Sequence, residues 1–196
     1  DLTGAYLEGA YLEGANLERA NLEKAKLRGA NIQGASLQGA NLERAKLRGA
    51  SLHGANLKGA NLKGASLVGA YLKGANLADT NLGHVNFNRA LLTSTTFKGA
   101  KNLQGANLVG ANLAGAYLEG VNLAALNLER ANLTDANLAN TNLTEARLFG
   151  ASLLRVNLAG ARLAGAILEG AFLKGANLEG VILEGAFLKG ANLEGA

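Results

Sequence analysis

NLEKAKLRGA at residues 21–30 returns as NLERAKLRGA at 41–50, and the one difference, Lys24 against Arg44, keeps the charge. Working outward from these segments, Leu22 and Leu27 belong to a series that starts at Leu2 and falls on every fifth residue to position 97. One extra residue enters near Lys101, after which the series resumes at Leu103 and runs to Leu193. It holds 39 positions, of which 36 are Leu; Ile32, Phe87 and Phe97 fill the others, so the period governs the whole chain. A small residue, usually Ala, stands two places before each Leu. Asn is common between them, Gly commonly follows two places after, and the unit reads A-N-L-x-G.

Period five fits neither standard element. On an α-helix five residues advance about 500°, so the Leu series would spiral without forming an apolar stripe. A strand alternates with period two and would throw successive Leu to opposite faces. Gly at every fifth residue would also weaken a helix by about 1 kcal/mol per site relative to Ala. Collagen needs Gly every third residue and abundant Pro, whereas this chain has no Pro. What remains is a coil that turns a corner every five residues and keeps Leu inside, with Gly or a small polar residue supplying the permissive backbone at the corner.

Units such as AYLEG, ANLER, ASLHG, ANLTD and AFLKG resemble those of the pentapeptide-repeat family, whose pattern is A-(D/N)-L-x-x. The resemblance covers essentially all of residues 1–196. It implies an all-β fold, a right-handed quadrilateral β-helix with twenty residues per coil and about ten coils. The central Leu or Phe and the preceding Ala would point inward. Lys26 would then stack on Lys46, Arg28 on Arg48 and Glu23 on Glu43, with coils about 4.8 Å apart. Duplications alone leave the coil period open among multiples of five, because ILEGAFLKGANLEGV at 167–181 recurs fifteen residues on as ILEGAFLKGANLEGA at 182–196. The period of twenty rests on the resemblance. Family members often carry Asp before the Leu; this chain prefers Asn, which removes negative charge.

Composition agrees with a repeat array. Apolar residues make up 48% and are nearly all Leu and Ala, with 27 Gly and no Cys, Met or Trp. Without Cys there are no disulfides and no thiolate metal sites. Polar residues interrupt the pattern every few positions, so no run is long enough for a transmembrane helix. The expectation is one repeat domain over 1–196, irregular at about 78–105 and cut from a longer protein. It would be cytoplasmic, or membrane-associated through regions outside these residues.

Function would then lie on the surface, where three features stand out. Residues 19–63 carry nine cations against two carboxylates, with Lys24, Lys26, Arg28, Arg44, Lys46 and Arg48 as the candidate basic patch. This is either a surface kept for an anionic partner or a solvated face left by duplication. Phe149, Ile167, Phe172, Ile182 and Phe187 occupy outward positions near the C-terminal end and form a candidate apolar contact patch, through which the C-terminal coils would self-associate or bind another protein. In the irregular middle, Gly becomes scarce, the small inward positions turn to Thr80, Val85 and Thr95, and His84, Asn88, Arg89 and Lys101 are candidates for a recognition site.

Catalysis finds little support. His53 and His84 are the only histidines, no G-x-S-x-G or Walker pattern occurs, and carboxylates at five-residue steps splay onto successive faces. No cofactor, metal or small-molecule substrate is expected. The leading reading is a non-enzymatic scaffold or protein-interaction module whose protein partner is not named by the sequence. The family also contains gyrase-directed members that mimic DNA with an acidic rod, and binding of anionic lipid or nucleic acid through the basic face is a further alternative. The net charge of +4 counts against the DNA mimic.

Overall fold

The computed structural model describes residues 1–196, which contain no helix and instead repeat one bridge residue and one two-residue turn in every unit after the first. Bridges are parallel and join residue i to residue i+20, as in Tyr6↔Lys26, Lys26↔Lys46 and Lys46↔Ser66, except for Asn86↔Asn107, Leu91↔Asn112 and Thr96↔Tyr117, which span 21. The chain therefore passes over itself every twenty residues, four units at a time. The repeated decapeptides that open the sequence lie one directly over the other.

Each unit closes by the same local chemistry. Leu2 C=O accepts from the Ala5 N–H at 3.0 Å, and only the third residue of that turn, Gly4, has positive φ (65°). This is the type II pattern, which favours Gly at that place. Three ladder bonds then tie the unit to its neighbour: Leu7 N–H to Lys26 C=O at 2.7 Å, Gly9 N–H to Arg28 C=O at 2.9 Å, and Lys26 N–H to Ala5 C=O at 2.8 Å. The backbone is thus satisfied between coils, and Leu and Ala are free to fill the interior. From Leu22 to Ala176 the inward series is almost wholly buried in one continuous core. Each inward Leu contributes about 1.5–3 kcal/mol of gross burial, opposed by chain entropy of similar scale.

The corners depart from the sequence expectation. Fourteen non-glycine residues have positive φ, and they include Arg19, Lys24, Arg44, Arg89, Arg130, Glu145 and Arg155, which are neither small nor neutral. An L-residue there loses about 1–2 kcal/mol. The ladder offsets this, since every such N–H except that of Asn102 still bonds the next coil, Arg19 to Gln38 C=O at 2.9 Å for example.

Asn before the Leu has a structural role that sequence reading credited only with removing charge. Its Oδ1 accepts from the N–H two residues on, as at Asn21 and Glu23 (3.2 Å), and its Nδ2 donates to the Asn one coil below, as from Asn41 to Asn21 and from Asn61 to Asn41 (both 3.2 Å). An ionised Asp accepts only and could not donate in this ladder.

We number the four faces by their inward residues: Leu22, Leu27, Ile32 and Leu37 lie on the first, second, third and fourth. On the second, third and fourth faces the column of bridges is continuous along the chain. On the first it is interrupted once, after Asn81↔Lys101, and resumes at Asn122↔Asn142.

Candidate functional site

The interruption is the irregular middle, and it has a specific cause. The extra residue is Asn102, not Lys101: Lys101 keeps its bridge to Asn81, while Asn102 has no bridge and sits at φ 58°. This is a β-bulge, one residue too many on one strand of a pair. Asn102 nonetheless continues the side-chain ladder, donating from Nδ2 to Asn81 Oδ1 at 3.1 Å. Beyond it the backbone ladder opens. The N–H groups of Gly99, Leu103, Gly105, Asn122 and Asn127 have no backbone acceptor, although their counterparts in other coils do. A slot of about 350 Å³ lies there, lined by Ala100, Asn102, Leu103, Gln104, Asn122, Ala124 and Ala125.

The interior changes alongside. Phe87 and Phe97 face each other edge to face across the coil that the bulge lengthens, with ring centroids 6.4 Å apart. Val121 and Leu126 replace Ala at small inward positions of the next coil. Inward Thr80, Thr95 and Thr141 are fully buried and donate their hydroxyls to the carbonyls of Leu77, Leu72 and Leu138. The longer coil carries bulkier filling.

The four candidate residues of the irregular coil do not converge. His84 lies over Gly105, where a Cβ would collide with its ring, and lines a groove with Lys63, Asn81, Gly83, Asn102 and Gln104 on the first face. Asn88 and Arg89 belong to the second face and its corner, Asn88 donating to Val109 C=O at 3.1 Å. Lys101 is exposed. Sequence reading missed Asn102 and the slot, because a one-residue shift in a period shows that something was inserted but not which side of the ladder opens.

The basic candidates divide. Lys26, Arg28, Lys46 and Arg48 share one groove on the second face with Glu8 and Ser66. Lys24 and Arg44 stand at the corner between the first and second faces, and Lys24 pairs with Glu23 at 2.7 Å. That hydrogen bond and the ammonium charge hold the Glu23 carboxyl below its ordinary range. At a far corner of the third face, Arg155 clamps Asp135 with two hydrogen bonds of 2.8 and 2.7 Å. This bond is the main reason the Asp135 carboxyl lies low.

The apolar candidates divide too. Ile167 and Phe187 are bridged neighbours on the second face, with Phe149 on the coil before Ile167, whereas Phe172 lies on the third face and Ile182 on the first. The twenty-residue frame already places Ile167, Phe187 and Phe149 on one face; the five candidates are thus a trio on that face and two single side chains on its neighbours. Five-residue spacing gives four faces, and only members twenty residues apart, allowing for the bulge, share one.

The basic grid and the apolar trio turn out to be co-facial. A single unbroken column runs Tyr6, Lys26, Lys46, Ser66, Asn86, Asn107, Asn127, Arg147, Ile167, Phe187. One end is cationic, Ser66 to Asn127 are neutral, and after Arg147, which is paired with Glu129, the other end is apolar. The fourth face adds a shallow groove of about 470 Å³ around Tyr117, Lys98, Glu119 and Asn137 that sequence reading also missed; the outward Tyr117 was its signal. No group of three or more acidic or histidine side chains is gathered as metal ligands, and no helix is long and apolar enough to cross a membrane.

The family model described as pentapeptide repeats matches in eight copies, over residues 1–39, 25–64, 35–74, 70–101, 102–135, 127–163 and 157–195. Two of these stretches abut at the bulge. Among solved structures, HetL, a pentapeptide repeat protein involved in heterocyst differentiation regulation from the cyanobacterium Nostoc sp. strain PCC 7120, is 38% identical, with 96% of this chain and 83% of that one covered and a TM-score of 0.44. QnrB1, a plasmid-mediated fluoroquinolone resistance protein, is 19% identical over 90% of this chain and 88% of its own, with a TM-score of 0.63; at that identity the likeness is one of fold. A pentapeptide repeat protein from the cyanobacterium Cyanothece 51142 is 29% identical over 63% of this chain and 91% of its own, with a TM-score of 0.29. No curated protein matches the chain.

Proposed function

This chain belongs to the pentapeptide repeat family, and from that premise we propose that it is a non-enzymatic scaffold that binds a protein partner along its second face. In this reading the coil is right-handed and runs for about ten turns, a rod of roughly 45–50 Å. The observation that supports the contact face is the apolar trio: Phe149 and Phe187 are 46% and 56% exposed, with Ile167 beside them on the same face. Large apolar side chains grouped on one face mark an interaction surface far more often than scattered ones do. Backbone ladders hold Phe149 and Ile167 from both sides and Phe187 from the preceding coil, so a partner meets side chains on a backbone already in place.

A gyrase-directed DNA mimic ranks second. Mimicry of DNA needs a negative surface, and this chain carries +4, with four cations gathered on the face proposed for contact.

Affinity capture from a lysate of the source organism tests the contact face, comparing the wild-type chain with Phe149→Glu/Phe187→Glu and, on the third face, Phe172→Glu. The expected result is a partner retained by wild type and Phe172→Glu and lost by the double variant. A partner held equally by all three baits would remove the second face from the account.

A further inference from the structure

We infer that the groove formed by Lys26, Arg28, Lys46 and Arg48 receives the carboxylates of an acidic polypeptide segment, part of the same partner that covers the apolar trio; the inference rests on the contact-face reading above.

Four cations are held on two adjacent coils around one groove. None of them is in an ion pair; the pairs in the structure use Lys24, Arg147, Arg155 and Lys174. The bridge Lys26↔Lys46 fixes one column and Arg28 with Arg48 forms the next. Such a grid repeats at about 4.8 Å between coils and roughly 6.6 Å along the strand. An extended chain with acidic residues at alternate positions presents carboxylates at the same interval of roughly 6.6 Å. The two guanidinium groups supply planar forks suited to carboxylate.

The borders of the grid select among anions. Glu8 closes one end, Ser66 marks the other, and Glu23 and Glu43 stand on the adjoining first face. Lys24 and Arg44 extend the charge to the neighbouring corner, yet the column runs from Lys46 into the neutral Ser66, Asn86, Asn107 and Asn127, so the cations do not form the long stripe that a duplex backbone requires. Single-stranded nucleic acid also calls for free aromatic faces. Tyr6, the aromatic beside the grid, is already engaged, with Lys26 Nζ 3.5 Å from its ring centroid.

Reach sets the partner's layout. Six rungs separate Lys46 from Ile167 along the second face, roughly 29 Å. An extended segment needs about nine residues to span that distance. The inferred partner sequence is an acidic stretch followed or preceded, about nine residues away, by large apolar side chains.

The test uses the full chain and a fluorescein-labelled peptide of alternating Glu and Ser, read by fluorescence anisotropy. Wild type is expected to bind it in a salt-sensitive manner, and Lys46→Ala/Arg48→Ala to bind about tenfold more weakly. The distant pair Lys174→Ala/Lys189→Ala is expected to leave affinity unchanged. Phe187→Glu is likewise expected to bind the peptide normally, which separates this inference from the apolar contact. Circular dichroism melts verify that the exposed substitutions leave the fold intact. Equal affinity for wild type and Lys46→Ala/Arg48→Ala would overturn the inference. So would loss in both double variants, or displacement of the peptide by duplex DNA or phosphatidylserine vesicles at lower concentrations than by unlabelled peptide.

Discussion

Phe87→Ala is expected to lower the stability of the fold by about 3–5 kcal/mol, read as an earlier midpoint in urea denaturation. Phe87 is completely buried and meets Phe97 edge to face in the coil that the bulge lengthens. Truncation there removes transfer energy and the aromatic pairing, and it leaves a cavity that ladders on both sides prevent from collapsing. Phe172→Ala provides the comparison, because that side chain is 51% exposed, and its effect should stay within about 0.5 kcal/mol. Similar losses for the two variants would mean that the interior of the lengthened coil is not packed as described.

Amide hydrogen exchange should be fast at Leu103, Gly105, Asn122 and Asn127. Their N–H groups lack the ladder acceptor, and exchange about a hundredfold faster than at paired donors such as Leu113 and Asn132 is the expected scale. Those two donate to Asn132 C=O at 2.7 Å and Ala111 C=O at 2.9 Å. Removing Asn102 while trimming Val121 and Leu126 to Ala restores both the period and the small inward residues. Slow exchange should then return at Leu103 and Gly105. Uniform protection of these amides in the wild-type chain would contradict the open ladder.

The inward side of this molecule was legible because it repeats. Leu at every fifth residue states which side chains are buried, and Gly two places later states where most of the corners turn. The coil period was not legible from spacing alone, since duplications occur at both fifteen and twenty residues; the backbone bridges supply it. Arg19, Lys24 and Arg44 at positive φ were not foreseen either, because the ladder bond that offsets their strain is made to a residue twenty positions away. The same gap explains the surface. Lys26 and Lys46 look related in sequence, whereas Phe187 is related to them only by counting coils through the inserted residue. Their relation is a column of nine bridges crossing a bulge. A register error of one residue at Asn102 would have rotated every later side chain onto a wrong position.

Photo-cross-linking from single positions tests the contact face most directly. Benzoylphenylalanine would replace Phe187 or Asn107 on the second face and, as controls, Phe172 or Asn132 on the third, with irradiation in lysate of the source organism. The account predicts one common cross-linked protein from positions 187 and 107 and none of it from 172 and 132. Cross-linking of that protein from the third face, with none from the second, would contradict it.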